Sequence, residues 1–106
     1  MKRKILIVED NVGLSQIQKD WLSRAGYDAV TAMSEPIARS LIRRMQFDLI
    51  LSDVRLPEGN GISLLEWLRK EKKDIPFIIT TEYVSVPDVV RTIKLGARDY
   101  LPKPVH

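Results

Sequence analysis

Acidic, hydroxyl and amine side chains stand directly after short apolar runs, and they define the chemistry that the chain could perform. Glu9 and Asp10 follow the first run, Asp53 the third, Thr81 the fourth and Lys103 the fifth. Taken singly, each has an ordinary structural explanation as a helix N-terminus, turn or loop residue. Brought together, the three carboxylates would repel each other strongly unless a cation lay among them. Oxygen ligands without sulfur or imidazole favour a hard ion such as Mg²⁺.

The composition excludes several other kinds of site. The 106 residues contain no cysteine and one histidine, so thiolate metal sites, histidine zinc sites and His-dependent triads are excluded. A net charge of +3, with basic residues spread along the chain, predicts solvated helix faces and no direct binding of nucleic acid. No apolar run is long enough for a membrane span or a signal peptide, so we expect a soluble, cytoplasmic protein.

The elements that must position these residues follow from the alternation of short apolar runs with segments of helical period. This alternation predicts an α/β fold with a doubly wound parallel sheet. Because ligands bind beyond the carboxyl ends of such strands, the residues that follow them should meet at one edge. Five strands are predicted, near residues 5–8, 29–32, 49–51, 77–80 and 100–101.

Capping residues mark the predicted helices. Asn11 precedes the first, Ser34 the second and Ser85 the fourth, while the third runs over about residues 62–72. Gly26 and Gly96 stand where the first and fourth helices should stop. The apolar residues expected to pack inward are Leu14, Ile17, Trp21, Leu22 and Ala25 in the first helix, Ile37, Ala38, Leu41, Ile42 and Met45 in the second, Leu64, Leu65 and Leu68 in the third, and Val86, Val89, Val90 and Ile93 in the fourth.

The end of the chain lies just past the fifth predicted strand, at residues 103–106, where another covering helix would be expected. We therefore interpret residues 1–106 as one domain, truncated after its fifth strand, with the final helix missing. Either the chain is shortened or a larger parent protein carries that helix.

Five motifs, in order along essentially the whole chain, resemble the receiver domains of bacterial two-component response regulators. The residues around Asp53 and Tyr100 are most similar to receivers attached to enhancer-binding transcription activators. The resemblance implies a flavodoxin-like sheet with strand order 2-1-3-4-5. The motifs are ILIVEDN at 5–11, DLILSDVRLP at 48–57, GNG at 59–61, PFIITT at 76–81 and GARDYLPKP at 96–104.

The resemblance implies a phosphoryl-transfer site. Asp53 would accept a phosphoryl group from a sensor histidine kinase, in a reaction that requires Mg²⁺. Asp10, Asp53 and the backbone carbonyl of Arg55 would bind the ion directly, and Glu9 would act on it through water. Such a domain assists its own phosphorylation and dephosphorylation without being a conventional enzyme.

The resemblance also implies how the signal leaves the site. Lys103 and Thr81 would each bind a phosphoryl oxygen. Thr81 would move inward, and Tyr100 would swing from an exposed to a buried position to fill the vacated space. The face of the fourth helix and fifth strand would then form a homodimer or contact an output domain that regulates transcription.

Two residues depart from the family pattern. Glu82 stands after the threonine, where relatives usually carry a small residue, and a carboxylate there should repel an incoming phosphoryl dianion and slow the transfer. We expect Glu82 to point outward. Tyr83, with Arg55, should flank the route of the attacking water and make self-dephosphorylation slow.

Three other functions share part of this pattern. A phosphatase resembling the haloacid dehalogenases needs a second carboxylate two residues after its nucleophile, but position 55 is arginine. A flavodoxin-like cofactor site needs a phosphate-binding loop after the first strand, where this chain has Glu9 and Asp10. A receiver that acts only as a protein-interaction module, without phosphorylation, is the alternative that stays open.

Overall fold

The computed structural model of the protein describes residues 2–82 and 84–103. Within these residues, five strands and four helices alternate, and a short hairpin lies between the third strand and the third helix. In chain order the elements are β1 (Lys4–Val8), α1 (Val12–Arg24), β2 (Asp28–Ala32), α2 (Glu35–Arg44), β3 (Leu49–Asp53), β4 (Arg55–Leu56), β5 (Gly59–Asn60), α3 (Gly61–Lys70), β6 (Phe77–Thr81), α4 (Val86–Lys94) and β7 (Asp99–Pro102).

The five longer strands form one parallel sheet in the order β2-β1-β3-β6-β7. Counted over these strands alone the order is 2-1-3-4-5, so the predicted doubly wound, flavodoxin-like topology is confirmed. The order reverses between β1 and β3, which opens a crevice at their carboxyl ends. The antiparallel β4–β5 hairpin was not predicted, because its residues Pro57 to Gly59 indicate only a turn.

The main hydrophobic core lies on one face of the central strands. Leu6 and Val8 of β1, Ile50 of β3 and Phe77 and Ile79 of β6 are fully buried. Each such side chain stabilises the fold by about 1.5–3 kcal/mol relative to an exposed one. The inner face predicted for α3 is confirmed, because Leu64, Leu65 and Leu68 are all fully buried.

The inner face predicted for α1 is wrong in part. Ile17 and Trp21 are 49% and 46% exposed, and Ala25 is exposed as well, whereas Ser15 and Gln18 are buried. At about 100° per residue, the apolar side chains of α1 spread over a wide arc of the helix. Only the part of that arc that contacts β1 and β2 is covered, so Ile17 and Trp21 remain at the surface.

The apolar repeat predicted to pack inward from α4 is largely exposed instead. Val86, Val90 and Ile93, which we call the α4 stripe, are 73%, 45% and 65% exposed, and Thr92 is the fully buried residue of the helix. The Thr92 hydroxyl donates to the Val89 carbonyl at 3.0 Å, so it is buried with its hydrogen bond satisfied. In α2, Ile37 is likewise exposed, contrary to prediction.

The predicted caps are confirmed at three helices. Oxygens of Asn11, Ser34 and Ser85 accept hydrogen bonds from backbone N–H groups in the first turns of α1, α2 and α4. The cap of α3 was not predicted: Asn60 Oδ1 accepts from Ser63 N at 2.8 Å. Across residues 2–82 and 84–103, the helices are all too short or too polar to cross a membrane.

Candidate phosphoacceptor site

The carboxyl ends of four strands meet at one edge of the sheet. Asp53 ends β3, Thr81 ends β6, Glu9 follows β1 and Lys103 follows β7. The register pairs Val8 with Ser52, Asp53 with Thr80, and Thr81 with Pro102, which brings these ends level. They border a cavity of about 260 Å³ lined by Glu9, Asp10, Asn11, Leu14, Asp53, Arg55, Thr81, Glu82 and Lys103.

Three carboxylates converge in this cavity, as the sequence predicted. One oxygen from each of Glu9, Asp10 and Asp53 lies within 4.8 Å of the others. Glu9 and Asp53 are 2% and 8% exposed, and Asp10 is open to solvent. At 4.8 Å two such charges repel by about 3.5 kcal/mol at an effective dielectric constant of about 20. An all-oxygen set with this excess of negative charge fits a hard divalent cation.

Lys103 supplies positive charge to the two buried acids. Its Nζ donates to Asp53 Oδ2 at 2.8 Å and to Glu9 Oε1, and its side chain is 6% exposed. The backbone N–H of Lys103 donates to the Thr81 carbonyl at 2.6 Å, which fixes the start of the side chain beside β6. Burial alone would lower the pKa of the Lys103 ammonium, but its hydrogen bonds to Asp53 and Glu9 outweigh burial and raise the pKa.

The Glu9 carboxylate is held by two donors. Its Oε2 accepts from Asn11 N at 3.1 Å, and its Oε1 accepts from Lys103. Burial raises the pKa of Glu9, and the charge of Asp53 adds to the rise, although Lys103 and Asn11 oppose it. Glu9 therefore takes up a proton more readily than an exposed glutamate.

The carbonyl and the carboxylate of Asp53 are each held by a contact that was not predicted. Ser52 Oγ donates to the Asp53 carbonyl at 2.9 Å, and Arg55 N donates to Asp53 Oδ1 at 3.4 Å. A Cβ at Gly61 would lie 2.2 Å from the Asp53 carbonyl oxygen, so α3 approaches Asp53 closely only because residue 61 is glycine. The GNG motif signalled this approach, but nothing in the sequence signalled the Ser52 contact.

Thr81 and Tyr100 lie on neighbouring strands near this edge. Thr81 is buried at the end of β6, and Tyr100 pairs with Ile79 across β6 and β7. Tyr100 is half-buried in this structure: its ring packs against the core and its hydroxyl oxygen is buried. Burial raises the pKa of the Tyr100 phenol, and the Asp88 carboxylate adds to the rise.

Of the two residues that depart from the family pattern, the structure describes Glu82. Glu82 is exposed and lines the same cavity as Lys103. Tyr83 lies outside the described residues. Arg55 also lines the cavity, at the start of the β4–β5 hairpin.

Comparison with known proteins identifies the family. Residues 5–106 match the model of the response regulator receiver domain. Response regulator protein PilR of Pseudomonas aeruginosa is 35% identical over 104 residues, which cover 98% of this chain and 23% of PilR. Transcriptional regulatory protein ZraR of Escherichia coli K12 is 39% identical over 101 residues, which cover 95% of this chain and 23% of ZraR.

A solved structure of the same family also matches this chain. It is a response regulator protein from Burkholderia pseudomallei with a phosphorylated aspartic acid, a calcium ion and citrate. It matches with a TM-score of 0.91 at 28% identity, over 99% of this chain and 62% of that one. The present chain spans 23% of the length of PilR and of ZraR.

The chain therefore belongs to the response regulator receiver domains. The predicted likeness to receivers of enhancer-binding transcription activators is confirmed by these relatives. Receiver domains are the phosphoacceptors of two-component systems; they are signalling domains, not conventional enzymes, and they interact with sensor kinases. They bind Mg²⁺ at an acidic pocket, in agreement with the acid cluster seen here.

Proposed function

We propose that Asp53 accepts a phosphoryl group from a sensor histidine kinase. The observation that carries this proposal is the position of the Asp53 carboxylate, which lies within 4.8 Å of two other carboxylates and accepts a hydrogen bond from a buried lysine. A carboxylate oxygen of Asp53 attacks phosphorus, the bond from phosphorus to the kinase histidine nitrogen breaks, and an aspartyl phosphate forms.

Mg²⁺ is the cofactor that these residues fit. Asp10, Asp53 and the Arg55 backbone carbonyl would hold it directly, and Glu9 would act through a bound water. When bound, the ion neutralises charge on the phosphoryl oxygens during transfer. The fit rests on the oxygen-only donor set and on the mutual repulsion of the acids.

Lys103 and Thr81 act on the transferred group. Lys103 Nζ, which now donates to Asp53 Oδ2, would donate to a phosphoryl oxygen once Asp53 is modified. The Thr81 hydroxyl, at the end of β6 in the cavity wall, would donate to another.

The readout is a switch between Thr81 and Tyr100. Inward movement of Thr81 would change the space available to Tyr100, whose half-buried side chain packs against the core and borders a cavity that α4 also lines. The α4 stripe is then the surface whose exposure the switch controls, and we propose that it forms a homodimer or contacts a transcription-regulating output domain. Its exposed apolar side chains support this use.

Glu82 and Tyr83 modulate the reaction. Glu82 lines the cavity, where its negative charge would repel an incoming phosphoryl dianion and slow transfer. Tyr83 and Arg55 would restrict the attacking water and prolong the life of the aspartyl phosphate.

The second candidate is a receiver that signals by binding alone, and the position of Glu82 favours it. The decisive experiment is intact mass spectrometry after incubation with acetyl phosphate, with and without Mg²⁺. We expect one added phosphoryl group in the wild type with Mg²⁺, none in Asp53→Ala, and an unchanged gain in Asp20→Ala, a control at an exposed aspartate of α1. A folded wild type that gains nothing would refute phosphorylation and leave the interaction module.

A further inference from the structure

A buried carboxylate outside the acid cluster joins α2 to the β4–β5 hairpin. Glu35 is 4% exposed, although it stands in the first turn of α2, where glutamates usually face solvent. Its Oε1 accepts hydrogen bonds from Asn60 N at 2.9 Å and from Ser63 Oγ. Its Oε2 pairs with Arg39, one turn further along the helix.

The hydrogen bond from Asn60 to Glu35 links Glu35 to a proposed metal ligand through one pair of residues in the hairpin. Asn60 pairs with Arg55 across the hairpin, and the Arg55 carbonyl is a proposed Mg²⁺ ligand. Gly59 has a φ of 136°, and a Cβ there would lie 2.2 Å from Glu35 Oε1. The hairpin therefore sits directly on the Glu35 carboxylate, with no space for a side chain between them.

Arg39 extends this connection to α3. Its guanidinium lies 5.2 Å from the centre of the Trp67 ring, and that of Arg43 lies 5.1 Å from the same ring. Burying a carboxylate is unfavourable unless its oxygens are satisfied, and here both oxygens of Glu35 have partners. Glu35 thus holds α2, the hairpin and the N-terminus of α3 in one arrangement.

We propose that Glu35 is a positioning residue for Mg²⁺ binding, because it fixes the hairpin strand that presents the Arg55 carbonyl. This inference rests on the proposed function. Glu35 does not touch the ion or the phosphoryl group, and it acts through the Asn60 N–H group. Residues that orient metal ligands typically contribute about 10- to 100-fold to metal affinity.

The test is the Mg²⁺ dissociation constant, measured by isothermal titration calorimetry on the wild type, Glu35→Ala, Glu35→Gln and Glu66→Ala. We expect a rise of roughly 10-fold for Glu35→Ala, the lower end for an outer-shell contact. Glu35→Gln keeps an oxygen acceptor for Asn60 and should stay within about twofold of the wild type. Glu66→Ala is the matched control. Glu66, in α3, also pairs with an arginine, but it lies away from the hairpin, so the affinity for Mg²⁺ should not change.

Phosphorylation kinetics separate positioning from a general loss of structure. With acetyl phosphate, Glu35→Ala should need more Mg²⁺ for half-maximal rate and should reach the wild-type rate at saturation. If Glu35→Ala does not fold, Ser63→Ala decides: it removes one donor to the same oxygen and should raise the dissociation constant roughly threefold.

The outcomes are distinct. A wild type that binds no Mg²⁺ would refute the proposed function together with this inference. A wild type that binds Mg²⁺, with unchanged affinity in folded Glu35→Ala or, failing that, in Ser63→Ala, would overturn the role of Glu35 alone. A rise in Glu35→Gln as large as that in Glu35→Ala would also overturn it, because the retained acceptor would then have no effect.

Discussion

Replacing Lys103 by methionine tests the electrostatics of the site in the metal-free protein. Lys103 Nζ contacts both buried acids, and its removal leaves Glu9 and Asp53 without this partner. Breaking a buried ion pair from one side typically costs about 3–5 kcal/mol. The repulsion between carboxylates at 4.8 Å, about 3.5 kcal/mol, gives a similar figure.

The loss has an upper limit because a carboxylate can take up a proton instead. Glu9, whose pKa is already raised by burial, would take up that proton most readily, so the loss should stay at the lower end of this range. We therefore expect Lys103→Met to lower the free energy of unfolding by about 3 kcal/mol at neutral pH without Mg²⁺. Excess Mg²⁺ should reduce the loss to under about 1 kcal/mol, because the ion replaces the missing charge.

The direction in which stability changes with pH follows from the pKa shifts of Lys103 and Glu9. The raised pKa of Lys103 means that its stabilisation is present below its ordinary pKa of 10.5 and is lost as the pH rises through the raised value. The raised pKa of Glu9 means that the folded state binds this proton more tightly than the unfolded state does. The stabilisation that protonated Glu9 contributes is therefore fully present below pH 4.5 and is lost as the pH rises through the raised pKa. The difference between Lys103→Met and the wild type should therefore shrink in acid.

Urea unfolding followed by circular dichroism measures these differences, with Lys70→Met as the control at an exposed lysine of α3. Equal stability of Lys103→Met and the wild type at neutral pH without Mg²⁺ would refute the reasoning. A loss that is the same with and without Mg²⁺ would do so as well, because it would then come from packing and not from charge.

Three further substitutions test the surroundings of Asp53. Glu82→Ala should speed phosphorylation by acetyl phosphate, because it removes a negative charge from the cavity, and Glu71→Ala, a control at an exposed glutamate, should not. Equal rates for the wild type and Glu82→Ala in intact-mass time courses would contradict the proposed repulsion. Tyr83→Ala should lose its phosphoryl group faster than the wild type in the same assay, and an unchanged lifetime would count against a role in excluding water. Gly61→Ala places a Cβ 2.2 Å from the Asp53 carbonyl oxygen, and should lower the free energy of unfolding by about 1–3 kcal/mol and slow phosphorylation; a urea midpoint like that of the wild type would disprove the steric argument.

The sheet and the acidic edge were predictable because they depend on short-range signals. Aliphatic runs such as residues 5–8 and 77–80 are recognisable as buried parallel strands, and their carboxyl ends must meet in a doubly wound sheet. The positions of Asp53 and Lys103 followed directly. The leucines of α3 were placed correctly because they all pack into the core cluster that contains Leu6, Ile50 and Phe77.

The exposed faces of α1 and α4 could not be predicted in the same way. Helical periodicity identifies an apolar arc, but it does not say which part of that arc contacts the sheet. Trp21 and Ile93 belong to apolar repeats and yet face solvent. Glu35 was missed for a related reason: a first-turn glutamate usually interacts with the helix dipole, and only the folded chain brings it to Asn60.

The position of Trp67 gives the domain an intrinsic optical reporter. Its indole ring lies near the guanidinium groups of Arg39 and Arg43, and Arg39 pairs with Glu35 under the hairpin. Indole emission responds to nearby cations, so a small displacement of the hairpin would alter fluorescence intensity without any attached dye. Replacing the exposed Trp21 by phenylalanine would leave Trp67 as the one tryptophan, because the chain contains two. Ion binding and phosphorylation could then be followed in real time.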